Sequence, residues 1–145
     1  MDFIVVGGVC AVLHGAPIST FDLDLVHCRE PGNIERLLAA LKRLDAHYRT
    51  QPERKARPGR SHLSSAGHQL LTTRHGPLDL LGAVGRGEGY EELLEHTTEV
   101  HVARDLKARV LSLQKLIEIK NQTAAEKDRA VLHILRRTLE EQSRK

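Results

Sequence analysis

The stretch VVGGVCAVLHGAPISTFDLDLV, residues 5–26, places Asp22 and Asp24 inside an otherwise apolar run. Residues 20–26 alternate as a β-strand does, with Phe21, Leu23 and Leu25 on one face and Thr20, Asp22 and Asp24 on the other. Both carboxylates then share a side, about 7 Å apart at Cα. Upstream, residues 3–6 read as a short strand that ends at Gly7-Gly8. Residues 9–14 give one or two helical turns, stopped by Gly15 and Pro17. Like charges this close repel unless something positive sits among them. Oxygen ligands in this pattern suit Mg2+ (or Mn2+), which keeps several waters and shares its coordination with substrate phosphates. The glycine pair at the mouth of a helix lets a phosphate approach the free backbone N–H groups, and Ser19 or Thr20 adds a hydroxyl donor.

Working outward, residues 31–44 read as an amphipathic helix, with Ile34, Leu37, Leu38, Leu41 and Leu44 at helical spacing and Pro31 near its start. Residues 49–67 read as a long loop. Residues 69–73 and 78–81 form a hairpin across residues 74–77, which puts Asp79 inside its second strand. Asp22, Asp24 and Asp79 thus become three carboxylates on strands. Two divalent ions about 3.5–4 Å apart among such groups activate an attacking hydroxyl and steady a leaving pyrophosphate. Residues 82–89, GAVGRGEG, lack the order and the Lys-Ser/Thr ending of a P-loop and read as a connector. A short helix over 90–95, strands over 100–102 and 108–111, and helices over 113–121 and 124–142 complete the chain. Leu132, Leu135 and Leu139 are the packing stripe of the last helix. This mixed order of strands and helices gives an α/β (α+β) class.

Bulk properties bound the functional classes. At 145 residues the chain is read as a single domain, 1–145. Two Tyr, two Phe and no Trp argue against an aromatic platform for single-stranded bases. No apolar run approaches the ~20 residues of a bilayer span, and the start lacks the basic region of a secretory signal. Cys10 and Cys28 read as reduced, packed thiols, so the expectation is a cytoplasmic chain with no membrane contact. Nine histidines form no His-x-x-x-His pair and the cysteines no Cys-x-x-Cys, which argues against a dedicated zinc site. His14 reads as a residue that fixes the turn before Gly15. The formal charge is +3, yet residues 49–76 alone carry six Lys/Arg against one Asp/Glu. That segment suits either a phosphate-rich partner or a solvated loop.

The residues singled out above resemble the nucleotidyltransferase fold of the DNA polymerase β superfamily, and its minimal bacterial members, toxin-type nucleotidyltransferases among them, most of all. That pattern runs Gly-Gly-x-Ala, His-Gly and Thr-x-Asp-x-Asp-Leu, with a third Asp on a later strand. Here it is carried by Gly8 and Ala11, His14-Gly15, Thr20, Asp22, Asp24 and Leu25, and Asp79 in PLDLLG. LIEIKNQTAAEKD is similar to a helical motif in which a Lys precedes an Asp by eight residues, here Lys120 and Asp128. The family often carries an Arg where Ile18 stands, another where Ala125 or Glu126 stands, and a further Asp where Val131 stands.

The resemblance implies a mixed sheet flanked by helices, with a core over 1–111 and a C-terminal helical pair over 112–142. It implies a metal-dependent enzyme that moves a nucleoside monophosphate from an NTP to an acceptor hydroxyl. Asp22, Asp24 and Asp79 would be catalytic and hold Mg2+ or Mn2+. Gly7, Gly8, Ser19, Thr20 and Lys120 would contact the nucleotide. The acceptor would be tRNA or another RNA along the basic 49–62 loop, or a protein side chain, with an antitoxin-like protein as a further partner. The alternative is a catalytically inactive module of the same fold that binds nucleotide and regulates.

Overall fold

The computed structural model describes residues 1–122 and 126–144, without the side chains of residues 126–128. Seven strands make one mixed sheet: β1 (Phe3–Val6), β2 (Leu23–His27), β3 (His47–Tyr48), β4 (His68–Thr73), β5 (Gly76–Leu81), β6 (Thr97–Ala103) and β7 (Leu106–Leu111). Their order across the sheet is β3-β4-β5-β2-β1-β7-β6. β2 lies antiparallel to β1 and parallel to β5, and β1 lies parallel to β7. Six helices are described: α1 (Gly7–Leu13), α2 (Pro31–Arg43), α3 (Arg60–Ser64), α4 (Tyr90–Leu93), α5 (Leu113–Gln122) and α6 (Glu126–Ser143). No described helix is long and apolar enough to cross a membrane.

The centre of the sheet forms where β-branched and aliphatic residues can bury both faces of a strand. Ile4, Val26, Leu80 and Val110 are fully buried there. Helix α2 starts at Pro31, whose missing N–H costs nothing in the first turn, and buries Ile34, Leu37 and Leu41 along one stripe. Its Asn33 side chain is buried and satisfied. The amide nitrogen donates to the Asp2 and Cys28 carbonyls, at 2.9 and 2.8 Å, and the oxygen accepts from the Asp2 N–H at 2.7 Å. This polar clasp ties the helix to the outer ends of β1 and β2. Leu132 and Leu135 of α6 are buried in the same core, which matches the stripe read from the sequence.

Several boundaries differ from the sequence reading, each for a physical reason. The second strand begins at Leu23 instead of residue 20 and runs on to His27. Before it, the Thr20 hydroxyl turns back to donate to the Asp22 carbonyl at 3.3 Å, and Phe21 stands 88% exposed. Asp22 therefore sits in the lead-in to the strand. The 49–67 loop is not featureless: a 3-10 turn spans Pro52–Arg54 and α3 follows. Leu63 of α3 is buried, and its carbonyl accepts from His27 Nε2 at 2.8 Å, so a tertiary contact holds a helix that local composition does not favour. The two-residue β3 is too short to show a period, and the β6/β7 hairpin is longer than read at both strands.

Candidate metal centre

Three segments meet where β1 ends and β2 begins. In the register of the sheet, Val6 faces Asp24 across the β1/β2 pair, and Asp24 faces Asp79 across the parallel β2/β5 pair. Neighbouring strands lie about 4.8 Å apart, so the two carboxylates project side by side from one face. That face carries fully buried Val26 and Ile4 one strand period further in. Asp24 thus ends an apolar row. Asp22, two residues upstream, brings a third carboxylate, and ligand oxygens of Asp22, Asp24 and Asp79 lie within 4.8 Å of one another.

The glycine pair is explained by what it faces. Gly7 has φ +67°, and a Cβ there would meet Asp24 Oδ2 at 2.2 Å. A Cβ on Gly8 would meet Thr20 Oγ1 at 2.5 Å. Both glycines let the start of α1 press against the carboxylate segment, and no side chain fits between. Thr20 is thereby turned inward as a shaping residue, whereas Ser19 is exposed.

Electrostatics in the cluster are unbalanced. Asp24 Oδ1 is buried without a hydrogen-bond partner. Burial first, then the Asp79 charge and a hydrogen bond shared with Asp79, then the Asp22 charge push the Asp24 carboxyl up to about 7, with Lys120 acting in the opposite direction. Lys120 does lie at the site: with Val6, Gly7, Asp24 and residues of α5 it lines a cleft of about 150 Å³. Small-molecule pockets usually measure ~300–1,000 Å³, so this cleft is too small to enclose a whole small-molecule ligand. The Asp128 side chain lies outside the described residues.

The structure also brings in a cation that sequence reasoning passed over. Arg49 Nη2 donates to Asp79 Oδ1 at 2.5 Å. The two residues are thirty apart in sequence, and only the β3/β4 and β4/β5 registers bring them together. Elsewhere in the basic segment, Arg57 pairs with Asp45 and Arg60 with Glu35. Three of the five cations in 49–62 thus already face carboxylates, which weakens the local field without removing it, since exposed pairs hold only ~0–1 kcal/mol.

Other reactive groups are committed elsewhere. Cys10 is fully buried, its thiol donates to the Leu111 carbonyl at 3.1 Å, and burial pushes its pKa up to about 12. His14 Nε2 donates to that same carbonyl at 2.7 Å, while its backbone carbonyl accepts from Gln142 Nε2 at 3.1 Å. His14 thus clamps the end of α1 to β7 and α6, whereas the sequence reading assigns it to the turn before Gly15. Cys28, Glu30 and Glu91 form a second group near enough to share an ion. Burial raises the Cys28 thiol, which keeps its proton and makes this the poorer ligand set.

The three aspartates fit a divalent cation. Two oxygens on one Mg2+ lie at most about 4.2 Å apart, so only a small closure of the cluster is needed. The orphaned, buried Asp24 oxygen is the kind of group such an ion satisfies. No protein-family model matches this chain, and no curated protein matches it.

Proposed function

We propose that the protein is a metal-dependent nucleotidyltransferase of the DNA polymerase β type, using Mg2+ or Mn2+ to transfer a nucleoside monophosphate from an NTP to an acceptor hydroxyl. One observation carries this reading: the oxygens of Asp22, Asp24 and Asp79 converge within 4.8 Å beside a Gly7 that has no room for a side chain. A divalent ion held there would supply Lewis-acid polarisation of the α-phosphate and offset charge on the leaving pyrophosphate. Asp22 and Asp24 would hold it, and Asp79 would flank them with one oxygen free for the acceptor. The acceptor oxygen forms a bond to the α-phosphorus while the bond from that phosphorus to the β-bridging oxygen breaks. The hydroxyl proton leaves toward Asp79 Oδ2, the oxygen not engaged by Arg49. Gly7, Gly8, Ser19 and Thr20 would border the β- and γ-phosphates, and Lys120 would balance their charge. Because the cleft is small, sugar and triphosphate would lie across the open face of the sheet. The acceptor, an RNA such as tRNA or a protein side chain, would approach from the side of residues 49–62.

The test is transfer of label. Purified protein with Mg2+ or Mn2+ and α-labelled NTPs, offered total tRNA and a protein mixture, should label one of them, and Asp22→Ala and Asp24→Ala should each abolish the label. Labelling that survives both substitutions would end this reading. A second reading, a nucleotide-binding regulatory module, is favoured by Ile18, which stands where the resembled family often has an arginine. It expects saturable NTP binding without transfer to any acceptor.

A further inference from the structure

Arg49 reaches the acidic cluster by construction. Its backbone N–H donates to the Leu70 carbonyl at 3.1 Å, extending by one residue the ladder in which Tyr48 faces Leu71. Leu70 in turn faces Asp79 on the next strand. Arg49 and Asp79 therefore stand two strands apart on one face, about 10 Å at the backbone, a distance that an arginine and an aspartate side chain together span. The base of this arm is held twice more: the Tyr48 N–H donates to the Ala56 carbonyl at 2.8 Å, and the Tyr48 hydroxyl to Gln69 Oε1 at 2.6 Å. By contrast, Arg57 and Arg60 meet exposed carboxylates away from the cluster.

A guanidinium keeps its charge at any pH a protein tolerates and offers a fixed fork of donors. Seated 2.5 Å from Asp79 Oδ1, it takes one of that residue's two oxygens and cancels its charge. Lys120 acts from the other side, beside Asp24. Three negative charges thus meet two fixed positive ones, which suffices for one divalent ion and disfavours two. A second ion bridging Asp79 would have to approach the guanidinium within a few ångströms, against direct repulsion.

We infer that the Arg49 guanidinium stands in the place of a second metal ion at Asp79, so that the chain binds a single divalent cation, between Asp22 and Asp24. This rests on the metal-centre reading above, and it makes Arg49 a positioning residue that orients Asp79 and sets the number of ions. The remaining oxygen of Asp79 is then left for the acceptor side of the site.

Titration of the full chain with Mn2+, followed by the loss of the free-ion paramagnetic resonance signal, reads ion number without any turnover. The wild type should bind one Mn2+ per chain, and Arg49→Lys, which keeps a cation, should also bind one. Arg49→Gln should bind two, the second with an affinity at least tenfold above any residual second binding of the wild type, and the pair should show exchange broadening. Two ions in the wild type would overturn the inference while leaving the metal centre intact, as would a single ion in Arg49→Gln. No bound Mn2+ in folded wild type would overturn the metal-centre reading and this inference together. Should Arg49→Gln fail to fold, Arg49→Met, which also removes the cation, carries the same expectation of two ions, and a single ion there would overturn the inference.

Discussion

Replacing Asp24 by Asn removes one negative charge from the cluster and almost nothing else, since the two side chains share a shape. In the metal-free protein the Asp24 carboxyl rises from 3.8 to about 7, chiefly through burial and then through Asp79. A folded-state pKa raised above the unfolded one means that the folded state holds its proton more tightly. The resulting stability is fully present below the unfolded value and is lost as pH rises through about 7. At ~1.4 kcal/mol for each pH unit, a shift of this size corresponds to about 4 kcal/mol at most. Asp24 is partly open to solvent, and screening reduces the working figure to about 2 kcal/mol. For a chain of this length that is roughly 6 °C in Tm. Thermal melts in EDTA should therefore show Asp24→Asn more stable than wild type by about that margin near pH 8.5, and nearly equal to it near pH 4. Adding Mg2+ or Mn2+ near pH 8.5 should raise the wild-type Tm and leave the Asn variant nearly unmoved. If Asp24→Asn is less stable than wild type by the same amount at both pH values, the cluster is not electrostatically strained and the reasoning is wrong.

Three further outcomes follow from the same geometry. Gly7→Ala should cost about 2 kcal/mol or more and abolish the Mn2+ response, because its φ of +67° and the Asp24 oxygen 2.2 Å from the new Cβ cannot both be kept; Gly15→Ala, at φ +94° with nothing within 4 Å, should cost strain alone and retain Mn2+ binding, as read by urea melts and metal titration. His14→Ala should lower stability by about 1–2 kcal/mol in urea through its lost hydrogen bonds, yet leave Mn2+ affinity within about threefold of wild type. Native protein near pH 8 should resist iodoacetamide at Cys10 and accept it only once unfolded, read by mass spectrometry, since a thiol held at about 12 is almost entirely protonated.

The part of the site that local pattern encodes was legible. Period-two alternation put Asp24 on a strand, although Asp22 joins it from the lead-in and not from the strand itself, and the turn residues around 74–77 placed Asp79 on a strand. The glycine pair announced a backbone that must come close to something. What the sequence did not carry was which oxygen it would approach. Gly7 meets Asp24 and Gly8 meets Thr20, contacts that depend on how the lead-in to β2 folds back over α1. The same fold-back moved the start of that strand to Leu23, because the Thr20 hydroxyl finds the Asp22 carbonyl before the ladder begins. Alternation alone cannot register a side chain that competes with the sheet for its own backbone.

Arg49 marks the deeper limit. Its neighbours in sequence are Gln51, Pro52 and Arg54, and by composition it belongs to a basic loop turned toward solvent. Its assignment to Asp79 requires knowing that β4 lies between β3 and β5, that Tyr48 faces Leu71, and that Leu70 faces Asp79. No window of residues holds that information, because it lives in strand order. The same pairing changes what the charge count means: a segment carrying six cations against one anion spends Arg49, Arg57 and Arg60 on carboxylates from three other segments. An excess of charge in sequence therefore measures an outward field only after its internal partners are subtracted. Here that subtraction leaves Arg54 and Lys55 as the cations of 49–62 without a described carboxylate partner, and they are where an acceptor's phosphates would be expected to make contact. Arg54→Ala with Lys55→Ala should then weaken acceptor binding and reduce its salt dependence by about two charges while leaving Mn2+ stoichiometry untouched; an unchanged salt slope would place the acceptor on another surface.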